Sequence, residues 1–124
     1  MKVKIVPLGA IAYARSGDKG SSSNVGVIAY HQKGYEFLER HLDAEMVGRF
    51  FKGLLLKSVK RYPLPNLWAL NFVLEGALAG GGSRSLRTDA QGKALGQAIL
   101  EMSIEVPIEL ELERFGEVHG KPLY

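Results

Sequence analysis

Hydrophobic and polar positions divide the chain into short segments of differing period. Residues 8–14 (LGAIAYA) are uncharged, with small or apolar side chains in both alternating positions, as in a strand covered on both faces, and residues 24–30 (NVGVIAY) repeat the pattern. Between them RSGDKGSSS reads as a connection too long for a tight two-residue hairpin turn. Over residues 35–51, Leu38, Leu42, Met46 and Phe50 recur every fourth position with Val47 and Phe51 beside them, which predicts an apolar helical face. Asp43 reads as a new N-cap with Leu42 and Val47 as its hydrophobic staple, giving a short helix, a break and a second helix ending at Gly53. Residues 54–62 then read as a strand stopped by Pro63 and Pro65.

The second half continues in the same way. Asn66 can cap a helix carrying Leu67, Trp68, Leu70, Phe72, Val73, Leu74, Ala77 and Leu78, apolar nearly all round and ending at the glycines of residues 80–82. Asp89 is read as the N-cap of a last helix over residues 90–101, with Leu95, Ala98, Ile99 and Met102 inward. The tail alternates Ile104, Val106, Ile108, Leu110 and Leu112 with Glu105, Pro107, Glu109, Glu111 and Glu113, a strand or two strands broken at Pro107. These elements predict one α+β domain over residues 1–124, a mainly antiparallel sheet packed against helices, with a ferredoxin-like variant as the economical arrangement.

Composition narrows the function classes. The chain has 124 residues, no cysteine and a net charge of +3. Disulfides, thiolate nucleophiles and cysteine-ligated zinc are excluded, and His31, His41 and His119 share no ligand spacing, so neither a metal nor a cofactor is expected. Residues 15–24 and 80–93 carry the whole positive excess, which leaves no general basic coat for nucleic acid. The start MKVKIVPLG lacks a signal-peptide core and no apolar run reaches membrane-span length, so the expected setting is cytoplasmic, away from membranes.

The candidate chemistry lies in the same two stretches. GGGSRSLRTDAQGK, residues 80–93, combines backbone freedom with hydroxyls and guanidinium forks, so Gly81, Gly82, Ser83, Arg84, Ser85 and Arg87 are candidate anion ligands. A glycine cap followed by an exposed linker explains the same residues structurally. The lysine and hydroxyl spacing of a phosphate-binding P-loop is missing, as is a Gly-x-Ser-x-Gly elbow. In the first stretch Arg15, Asp18, Lys19 and Asn24 are candidate ligand contacts, Asp18 and Lys19 also candidate acid/base groups, with Asn24 equally readable as a turn residue. Asn71 reads as a structural amide, with a ligand contact as its minor role.

IAYARSGDKGSSSNVGVIA and RYPLPNLWALNFVLEGALAGGGSRSLRTDAQGKALGQAIL, with the VP that follows, resemble the small domain of the AtuA-like (acyclic terpene utilisation) family over about residues 8–107, leaving 108–124 as a C-terminal strand extension. The resemblance implies a ferredoxin-like fold that occurs as the C-terminal part of longer AtuA-like proteins or as a separate chain. It also implies a setting in bacterial breakdown of terpenoid and branched acyl compounds through coenzyme A thioesters. Members often carry an acidic residue after the SGDKG stretch, where this chain has Ser21. Three roles are open on this reading. The chain is an anion-binding partner subunit of a large AtuA-like protein, or an enzyme on an acyl-CoA or carboxylate, or a homo-oligomeric structural domain.

Overall fold

The computed structural model describes residues 2–19, 22–76, 95–108 and 110, without the side chain of Lys19. In chain order its elements are β1 (Val3–Pro7), β2 (Ala12–Lys19), β3 (Ser22–Ala29), α1 (Gln32–His41), α2 (Ala44–Phe50), β4 (Ser58–Leu64), β5 (Ala69–Glu75), α3 (Leu95–Ile99) and β6 (Ser103–Pro107). Strands β2, β3, β5 and β4 form an antiparallel sheet in that order, and β1 pairs with β6 in a separate antiparallel ribbon. The helix pair α1–α2 connects β3 to β4, and β5 inserts between those two strands, so the expected α+β, ferredoxin-like arrangement is present.

Strand alternation gives the four-stranded sheet two unlike faces. Val25, Val27, Leu70, Phe72 and Leu74 fill the inner face and join Leu38, Leu42, Val47 and Ile99 from the helices in one buried cluster. The ribbon adds Ile104 and Val106 to it, and beyond Pro107 the half-buried Leu110 packs against it while Ile108 is exposed.

Several expectations change. Residues 8–14 are not one strand: Leu8–Ala10 forms a 3-10 turn and β2 begins at Ala12. Residues 66–76, the described part of the helix expected over 66–78, do not form one: Asn66 lies in a 3-10 turn, Pro65–Leu67, and β5 follows. In this strand, paired by β3 on one side and by β4 on the other, Ala69 and Val73 stand on the same face as Asn71 and Glu75, so the alternation is blurred and the apolar run reads equally as a buried helix. Residues 15–24 are not a long connection either. Strands β2 and β3 pair from Ala12↔Ala29 to Lys19↔Ser22, leaving two residues between them, and the polar residues sit on the paired strands of a sheet with one uncovered face. Finally β4 spans Ser58–Leu64 rather than 54–62, running through Pro63, which an edge strand tolerates because its outward N–H is not needed.

The helical half follows its sequence signals. Asp43 Oδ1 accepts the Met46 N–H at 2.9 Å as the N-cap of α2, and Leu42 and Val47 on either side of that turn are both buried. The guanidinium of Arg61, on β4, donates to the carbonyls of Glu39 (2.8 Å) and Leu42 (3.0 Å), satisfying the acceptor-rich end of α1. Burial raises the pKa of the Tyr35 phenol above its ordinary value, the charge of Glu39 adds to the rise and that of Arg61 opposes it. Gly76, directly after β5, has φ +108°, and a Cβ there would lie 2.5 Å from the Lys57 side chain and 2.6 Å from its nitrogen. That close approach accompanies the hydrogen bond from Lys57 N to Glu75 O at 2.7 Å.

Arg61→Met should lower unfolding free energy by about 1.5 kcal/mol in urea titrations, by removing two charge-assisted hydrogen bonds to backbone. Gly76→Ala should lower it by about 2 kcal/mol or more, since both the φ angle and the Lys57 backbone oppose a methyl group.

Candidate functional site

The outer face of the four-stranded sheet is built as rows of cross-strand neighbours. One row is Arg15, Gly26, Asn71 and Tyr62; the next toward the start of β2 is Tyr13, Ile28, Ala69 and Leu64; the next toward its end is Gly17, Asn24, Val73 and Lys60. The first is polar around a glycine, and the second is apolar throughout. An open groove of about 480 Å³ lies over these rows, lined by Arg15, Gly17, Asn24, Gly26 and Asn71 at the polar end and by Tyr13, Ile28, Leu64, Leu67 and Ala69 at the apolar end.

Asn24 Nδ2 donates to Asn71 Oδ1 at 3.2 Å, which holds the two amides side by side and leaves the Asn71 amide hydrogens available. Among the described residues Arg15 is the one charged residue of the lining, and no carboxylate pairs with it. A guanidinium so placed offers parallel N–H donors to a planar anion.

The sequence candidates divide between the two faces. Arg15 and Asn24 share the groove, and Asn71, read first as structural, joins them there. Asp18 stands in an inner-face row with Ser23, Leu74 and Val59, and its carboxylate accepts a hydrogen bond from the buried Ser23 hydroxyl. Asp18 is therefore on the other side of the sheet from the groove. Lys19 pairs in the backbone with Ser22. Gly81, Gly82, Ser83, Arg84, Ser85 and Arg87 lie outside the described residues, as does the Asp89 cap. The two flanks of that segment are described, however. It leaves the sheet at Gly76 and returns at α3, where the Cα of Gly96 rests so close to β2 that a Cβ would be 3.2 Å from the Arg15 carbonyl carbon.

Sequence reasoning did not single out Gly26, Tyr13, Leu64 or Leu67. The available signal was Gly26 itself, a glycine inside the apolar run NVGVIAY, a placement that marks a bulge or the close approach of a backbone or a ligand. Among the described residues no group of His, Asp or Glu is arranged to hold a metal, and no helix is long and apolar enough to cross a membrane.

A family model described as the AtuA ferredoxin-like domain matches residues 6–105, and the chain belongs to that family. No curated protein and no solved structure matches it.

The half-buried Asn71 makes its hydrogen bond at the exposed surface, where water can replace a lost partner. Asn71→Ala should therefore change unfolding free energy by about 1 kcal/mol or less in a denaturant titration, well below the loss expected for a buried structural amide.

Proposed function

We propose that this AtuA ferredoxin-like domain is an anion-binding subunit that works with a larger AtuA-like protein in the breakdown of branched or terpenoid acyl compounds. The observation that carries the reading is the groove on the outer sheet face, with Arg15 and two linked amides at one end and an apolar wall at the other. Such a lining suits an anionic acyl compound, whose charged end and hydrocarbon body need opposite environments.

The partner role is supported by what surrounds the groove. Tyr13, Tyr62, Leu64, Leu67 and Trp68 are all exposed on or beside this face, a cluster of the aromatic and aliphatic types that anchor protein interfaces. A groove open to solvent also lacks the enclosure that reaction chemistry requires, and a second protein seated on the rim would supply it. The domain then contributes the floor of a shared site, and the larger protein its cover.

Co-expression of the chain with a larger AtuA-like protein from the same genome tests this. The two should co-elute in size-exclusion chromatography, and Tyr62→Glu should separate them while leaving the Tm of the small chain within a few degrees. Arg15→Gln should still assemble but lose the thermal stabilisation that acyl anions give the complex. Separate elution of the unmodified chains, with no Tm change on adding acyl anions, would defeat the reading.

A further inference from the structure

Resting on the anion-binding reading, we infer that the ligand of the groove is a free aliphatic monocarboxylate, bound with its carboxylate over Gly26, between Arg15 and Asn71, and its hydrocarbon body along the row Tyr13, Ile28, Ala69 and Leu64.

Gly26 is the pivot of the argument. It lies in the middle of β3, a strand paired on both sides, where glycine weakens the strand. Neither backbone nor packing requires it: its φ lies outside the left-handed region, and an added Cβ would meet only Asn71 Oδ1 at 3.8 Å, the Arg15 carbonyl oxygen at 3.9 Å and Ile28 Cδ1 at 4.0 Å, all ordinary contacts. This contrasts with Gly76, which has a positive φ, and with Gly96, where β2 backbone stands within 3.3 Å of the Cβ position. What a side chain at position 26 would do is fill the floor of the groove between the guanidinium and the amide.

The charge and spacing then select the ligand class. One guanidinium and the Asn71 amide, on strands to either side of Gly26, match the two oxygens of a singly charged carboxylate. A phosphate dianion calls for more: several cations, or the N–H groups of a helix N-terminus, and among the described residues the lining holds a single cation, on a strand. The apolar row lies two residues further along each strand, about 7 Å away. An extended chain of about five carbons covers that distance from the carboxylate, so the body of the acid reaches Ile28, Ala69 and Leu64 without leaving the face.

Isothermal titration of the full chain with acetate, hexanoate, inorganic phosphate and hexanoyl-CoA tests this, with thermal melts of each variant alongside. Hexanoate should bind about tenfold or more tightly than acetate, because only the longer acid reaches the apolar row. Arg15→Gln should weaken hexanoate by about tenfold or more. Gly26→Val should abolish hexanoate binding while its Tm stays equal to or above that of the unmodified chain, an outcome that separates a blocked groove from a damaged fold. Equal binding of acetate and hexanoate, or unchanged hexanoate binding in a folded Gly26→Val, overturns the inference. Tighter, Arg15-dependent binding of phosphate or hexanoyl-CoA overturns the free-carboxylate class and leaves the anion-binding subunit standing. Absence of any Arg15-dependent anion binding overturns both.

Discussion

The register between β3 and β5 is the constraint from which the rest of the molecule follows. With Val25 opposite Phe72 and Val27 opposite Leu70, one side of the two central strands is committed to the core. Their alternate positions, Asn24, Gly26 and Asn71, are thereby committed to the other side. A slip of one residue in either strand would bury an amide where a large aliphatic or aromatic side chain now sits and expose that side chain to water. The hydrophobic energy of the inner face thus fixes where the polar groups of the outer face stand, although none of the polar groups contributes much to that energy.

Around this pair the remaining elements act as locks on position. Arg61 ties the edge strand β4 to the end of α1, so the helix layer cannot shift along the sheet without losing both carbonyl contacts. On the opposite edge, α3 reaches β2 because Gly96 lets two backbones approach more closely than side chains would permit. The consequence for the groove is that Arg15 stands on a strand whose backbone is held from behind.

Much of this was legible from the sequence, and the failures have physical causes. The α1–α2 break was readable because an N-cap and its staple are local, set by Leu42, Asp43 and Val47 alone. The nature of residues 69–75 was not, because Ala69 and Val73 interrupt the polar face that Asn71 and Glu75 would otherwise mark, which blurs the alternation that identifies a strand. Arg15 and Asn24 could be named as polar residues in an unusual cluster, but their meeting with Asn71, 47 positions beyond Asn24, exists only through the cross-strand register. Gly26 was visible yet unread, since its meaning depends on what an added methyl group would touch.

The β1–β6 ribbon, in which Val3 faces Pro107, places the two ends of the family-matched region beside one another on the surface. A domain whose entry and exit points are neighbours can be appended to another protein, inserted within one, or circularly permuted with a short linker, because none of these rearrangements has to stretch the chain across its own core. Covalent fusion and separate expression are then mechanically equivalent options for this fold, and the same sheet face is presented in either case.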